Sequence, residues 1–266
     1  MPKRTTLRPE AAASAAVRIR RGYFESRFGQ LHVHHAIPGG GGFEEGTPLL
    51  ALHPATHSGR LFTALLTTLG RDRSAFAPDL PGFGESDAPD GLSIGEQAAA
   101  LGDFLDAMRL RHVDLLGCGL GARVALELAA TRPAVRRLVI AVLPTGETSL
   151  PPQSADDADA YLRAVWAAAR RDCGADAPLA MIMAACGERL RNAAHAAGAE
   201  QAPLRERLSQ ISQPLLVLHA PDWPHGAEVS AADLPAHARR TPCRDVSQLQ
   251  HAPQPIVAAI QDFLIA

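Results

Sequence analysis

The chain has 266 residues, of which 47% are hydrophobic and 20% charged. This composition excludes a disordered chain and fits one large α/β domain. With 26 basic and 28 acidic side chains the formal net charge is −2, so no strong field draws nucleic acid or an anionic membrane. Four cysteines, Cys118, Cys173, Cys186 and Cys243, show no paired spacing, which argues against a disulfide framework or a zinc site and for a cytoplasmic location. No run reaches the roughly 18–20 apolar residues of a membrane helix.

Residues 1–20 are basic and Ala-rich and are expected to form a flexible N-terminal tail. Residues 23–37 alternate apolar and polar around Gly29-Gln30, the pattern of a hairpin. Gly39–Gly42 reads as a loop tip. Residues 48–53 and 74–78 are short apolar runs, expected as strands buried on both faces. Residues 59–70 have a helical pattern. Ser93 and Glu96 predict a capping box opening a helix to about 110. A strand over 112–116, a helix over 121–131 and a strand over 137–143 follow. Residues 155–210 show only helical pattern. A strand is expected over 214–219, a helix over 230–239, a weak strand over 243–247 and a closing helix over 255–264.

Strand–helix alternation implies a mostly parallel sheet with helices on both faces. Ligands in such sheets sit beyond the carboxyl ends of the strands. The loops there read "LLALHPATHSG", "FAPDLPGFGESDAP", "VDLLGCGLGARVALELA" and "LQHAPQPIVAAIQDFL". Their order and spacing resemble the α/β-hydrolase superfamily, in its lid-bearing esterase and C–C hydrolase-like branch. The resemblance implies an eight-stranded sheet with a helical lid after the sixth strand. It divides the chain into a core of 21–144 and 212–266 and a lid of 145–211.

In that family the strand-to-helix turn reads G-x-S-x-G, and its serine attacks the substrate. Here the turn is Gly117-Cys118-Gly119-Leu120-Gly121, and the nucleophile position falls on Gly119, which has no side chain. Re-centring the turn on Cys118 would put Leu116 and Leu120 where small residues are required, so Cys118 is read as a buried structural thiol. The family's oxyanion donors map to the backbone N–H groups of Leu120 and Ala55, although the usual His-Gly has become His53-Pro54. His251 matches the catalytic histidine. Asp222 is the nearest carboxylate to the acid position, one residue early; it either orients His251 or caps the next helix. Trp223 takes the acid position if no gap is allowed, and Glu147 is a second substitute.

His53, His57 and Trp166 are the expected substrate contacts, with His57 read as a solvated loop histidine. His32, His34 and His35 read as exposed strand residues, because no further metal ligand is evident. Asp79 is expected to tie down the loop after it. Arg123 and Glu127 have the spacing of a helix-surface pair. Of Tyr161, Leu162, Val165, Trp166, Leu179, Met181, Ile182 and Met183, most are expected to pack on the main domain and some to roof the pocket, with ordinary lid core as the plain reading for most. The expected ligand is a small molecule, with no nucleic acid, membrane, cofactor or metal; a homodimer is compatible. Three functions compete: serine-type ester hydrolysis, disfavoured by Gly119; base catalysis by His251 without a covalent stage; and a degenerate relative that only binds.

Overall fold

The computed structural model describes residues 17–39, 45–55, 57–87, 92–142, 158–174, 176–196, 204–220 and 231–266. The tail before residue 17, the Gly40–Gly42 part of the loop tip, Glu147, Asp222 and Trp223 lie outside the described residues.

Strands β1 (Arg20–Ser26), β2 (Gly29–Ala36), β3 (Gly46–Leu52), β4 (Arg73–Pro78), β5 (Val113–Cys118), β6 (Val135–Val142), β7 (Leu215–His219) and β8 (Arg239–Pro242) form one sheet. Its order is β1-β2-β4-β3-β5-β6-β7-β8. The β1–β2 and β2–β4 pairings are antiparallel, and the others are parallel. Helices α1 (Thr63–Leu69), α2 (Ile94–Ala107), α3 (Leu120–Thr131), α4 (Ala158–Cys173), α5 (Leu179–Ala196), α6 (Leu204–Ser209), α7 (Val246–His251) and α8 (Gln254–Ile265) connect or flank the strands.

The continuous apolar runs of the central strands follow from burial on two sides. In β3, Leu50 and Leu52 face a core shared with α2 and α3, while Leu49 and Ala51 face a second core built with α1 and α8. The same alternation runs through β6, with Leu138 and Ile140 on one side and Val139 and Ala141 on the other. The capping box forms as expected: Glu96 N–H donates to Ser93 Oγ, and Ser93 N–H donates to Glu96 Oε2 at 2.9 Å.

Three local expectations are corrected. The hairpin register pairs Ser26 with Gly29, so Arg27 and Phe28 form the turn. Arg27 fastens it to α2 by bonds from Nε and Nη2 to Asp103, each 2.8 Å. In place of a helix over 230–239 the described residues hold a 3₁₀ turn at Ala231–Asp233 and the start of β8. The expected strand over 243–247 is displaced to Arg239–Pro242, and the end of that segment opens α7. Glu127 also reaches across to α6, pairing with Arg207 at 2.7 Å.

The end of the sheet opposite the candidate site holds a buried charge. Asp114 on β5 is fully buried, 3.5 Å from Arg73 and 3.7 Å from Arg137. Burial pushes its carboxyl up to about 6 from an ordinary 3.8, against the pull of both arginines. The folded state therefore holds a proton that the unfolded chain releases between about pH 4 and 6, and stability falls as pH rises through that window. Asp114→Asn is expected to remove this slope. Its urea midpoint should gain on the wild type from pH 4 to 6, by up to about 3 kcal/mol in unfolding free energy. Parallel profiles for the two proteins would contradict the assignment.

Candidate active site

Three loops meet at the carboxyl ends of β3, β4 and β5. Between β5 and α3 the chain reverses at Gly119, with φ 55° and ψ −121°. A positive φ of this kind is costly for residues with a side chain. The flanking glycines answer a steric demand: a Cβ on Gly121 would stand 2.2 Å from the Leu52 carbonyl oxygen, and one on Gly117 2.5 Å from that of Gly121. The Gly-x-x-x-Gly spacing thus lets α3 start against the end of β3. Leu120 is the first residue of α3, where a helical N–H has no partner within the helix. Cys118 ends β5 and is buried in the core shared with α1 and α8.

The loop after β3 is pinned by His53. Its Nδ1–H donates to the Pro54 carbonyl at 2.8 Å, and its Nε2 accepts the Leu80 N–H at 2.9 Å. The Leu80 donor fixes the tautomer, since an N–H can be met only by a bare ring nitrogen. The ring is 0% exposed, and burial pushes it down to about 4. This corrects the expectation of a substrate contact: both ring nitrogens bond to backbone, so His53 joins two loops. Its carbonyl also accepts the Gly121 N–H at 3.1 Å, which ties the β3 loop to the first turn of α3. The His57 N–H closes a turn onto the Pro54 carbonyl at 2.9 Å, with Ala55 buried inside that turn.

Asp79 clamps the loop after β4, as expected. Its Oδ1 accepts the Gly59 N–H at 2.7 Å, and its Oδ2 accepts the Glu85 N–H and faces His32 Nδ1, each at 2.9 Å. Burial works to raise its carboxyl, but these donors and the nearby His53 ring together hold it below the ordinary range. His32 is buried, which corrects its reading as an exposed strand residue.

His57 is buried rather than solvated. Its Nε2 lies 3.4 Å from Arg189 Nη2, and its carbonyl accepts the Asn192 Nδ2–H at 2.8 Å. Asn192 Oδ1 accepts the Gly84 N–H at 3.1 Å, so one side chain of α5 holds both loops. Glu188, beside Ser58, is raised by burial. Arg189, Asn192 and Glu188 escaped the sequence reading because α5 is rich in alanine. A signal was available: Ile182, Cys186 and Arg189 are spaced as one buried helical stripe, and an arginine at such a place needs a reason.

His251 is the last residue of α7, which packs against α1, α4 and the 3₁₀ turn at Gly59–Phe62. Its ring is exposed, and Nε2 lies 3.1 Å from the Cys173 carbonyl at the end of α4. The segment between β6 and β7 has its own small core of Tyr161, Val165, Ala169, Cys173, Ile182 and Cys186. The expectation that its large side chains pack inward fails for Leu162, Leu179, Met181 and Met183, which are exposed. Trp166 is 36% exposed on α4.

A profile of the alpha/beta hydrolase fold matches residues 33–176. The chain belongs to the alpha/beta hydrolase fold family. It is 35% identical over 101 residues to the 2-hydroxy-6-oxo-2,4-heptadienoate hydrolase of Pseudomonas putida, covering 36% of this chain and 37% of that protein. It is 33% identical over 102 residues to the 2-hydroxymuconate semialdehyde hydrolase of Pseudomonas sp. strain CF600, covering 36% of each. The matches thus span little more than a third of these curated relatives. Among solved structures, the enol-lactonase from Burkholderia xenovorans LB400 has a TM-score of 0.73 at 16% identity, covering 92% of this chain and 100% of that one. An N-acyl homoserine lactonase complexed with N-butanoyl homoserine has a TM-score of 0.69 at 23% identity, covering 92% and 96%. These structures share the hydrolase fold with this chain. No helix among the described residues is long and apolar enough to cross a membrane.

Proposed function

We propose that this hydrolase-fold protein acts on a small, partly apolar carbonyl compound without an acyl-linked intermediate. The observation that carries the reading is the backbone of Gly119, which makes the tight reversal between β5 and α3 with no side chain to attack from. The N–H groups of Leu120 and Ala55 would hold charge developing on a carbonyl oxygen. His251 would take a proton from water or from an acidic position of the substrate. Asp222 or Glu147 would orient it. Residues 145–211 would act as the lid, with Trp166 among the side chains that meet substrate.

Arg189 narrows the substrate class. It is a guanidinium buried beside His57 in the oxyanion loop, suited to a carboxylate. The two curated relatives carry the names of an oxo-dienoate hydrolase and a semialdehyde hydrolase, consistent with a keto-acid type of ligand here. A second reading, binding without turnover, is favoured by one contact: the Cys173 carbonyl lies 3.1 Å from His251 Nε2, where a base would need its lone pair.

The test is a panel of activated esters, enolisable aryl ketones and oxo-dienoates offered to wild type and His251→Ala. Base catalysis predicts turnover that drops at least ~100-fold in the variant. Equal inertness of both proteins, with thermal stabilisation by a carboxylate ligand that Arg189→Met abolishes, supports binding only.

A further inference from the structure

We propose that His32, His34 and Asp79 form a binding site for a divalent cation of the zinc, cobalt or nickel class, at the junction of β2 with the loop after β4. One ligand atom from each of the three lies within 4.8 Å of the other two. The topology produces this set. His32 and His34 alternate along β2 and so project from the same face of the sheet. β2 pairs with β4, with Val33 opposite Pro78, and the Asp79 N–H donates to the His32 carbonyl at 2.8 Å. The carboxylate is thereby delivered beside both imidazoles, supplying the third donor that the sequence alone did not reveal.

Two imidazoles and a carboxylate suit these borderline cations, with a fourth position left for water. His32 Nδ1 and Asp79 Oδ2 are 2.9 Å apart. Ligands at 2.0–2.1 Å from a tetrahedral ion are separated by about 3.3 Å, so a cation fits there by replacing the proton these atoms share. His34 then closes on it by a side-chain rotation. Its ring already meets the His32 ring edge-on, with centroids 4.8 Å apart. The loop bonds from Gly59 and Glu85 to Asp79 can persist, because a carboxylate offers about four lone-pair directions. A bound ion would therefore cross-link the leading hairpin, the β4 loop and the loop that carries His57. The site is independent of the proposed catalysis.

The test is titration of the EDTA-treated full chain with Zn²⁺ and with Co²⁺ at pH 7.5, followed by calorimetry, thermal shift and visible absorption. The expected result is one equivalent bound, a higher melting temperature, and a cobalt spectrum without thiolate charge-transfer bands. His34→Ala should weaken binding at least about tenfold, since loss of even an outer partner costs 10–100-fold. His34→Gln provides a closer match in volume and should also weaken binding, so the test stands if the alanine variant folds poorly. No saturable binding up to millimolar cation would overturn the proposal. So would binding of unchanged strength in both variants, which would place the ion elsewhere.

Discussion

Gly119→Ser is expected to gain a covalent esterase activity that the proposed mechanism denies the wild type. The substitution places a hydroxyl at a bend whose flanking glycines remain in place. On the proposed roles, in which the Leu120 and Ala55 N–H groups would hold an oxyanion and His251 would act as base, activity on an activated ester should rise at least about tenfold over wild type, and a burst of acyl-enzyme should accompany it. Adding His251→Ala should abolish the gain. The larger comparison is with a complete triad, whose removal leaves only about 10³–10⁴ over the uncatalysed rate. The same variant should be less stable, because a residue with a Cβ at φ 55° costs roughly 1–3 kcal/mol. A folded, correctly destabilised Gly119→Ser protein with no histidine-dependent activity would show that the three groups do not converge.

The second large effect concerns His53. His53→Ala removes an acceptor from the Leu80 N–H and a donor from the Pro54 carbonyl, both deep in the structure. Each orphaned group costs about 1–3 kcal/mol, so a loss of about 3–5 kcal/mol is expected in urea denaturation. The pH dependence identifies the cause. The folded ring sits at about 4 against an ordinary 6.5, so below pH 6.5 the unfolded chain takes up a proton that the folded state refuses. Stability is therefore lost as pH falls from 6.5 towards 4, by up to about 3 kcal/mol from this ring. His34, also pushed down to about 4 by burial, adds the same sign. Asp114 contributes the opposite sign over pH 4–6, so the wild-type profile is flatter than either effect alone. His53→Ala should lose the acid sensitivity due to this ring, and an unchanged slope would contradict a ring held neutral by burial.

The fold was largely legible because its cause is written locally. The apolar runs of β3 to β7 announce burial on both faces, and Ser93 with Glu96 announces a helix start. The glycines around Cys118 and Gly119 are demanded by backbone contacts that no other residue type permits. What the sequence hid was long-range. Whether 239–242 or 243–247 pairs with β7 depends on a neighbour, and the end of the unpaired segment opens the short α7. His53 looked like a substrate contact because nothing local shows that Leu80, 27 residues on, supplies its second bond. Asp79 beside His32, and Arg189 beside His57, come together only through strand pairing and helix docking. The polar side chains of α5 were masked by the alanines around them.

Intact-mass analysis after exposure to an activated ester and to an aryl phosphonate tests the absence of a covalent stage most directly. The wild type should keep its unmodified mass under conditions where Gly119→Ser gains one acyl or phosphonyl group. A stable adduct on the wild-type turn, at Cys118 or at any neighbouring side chain, would contradict the account.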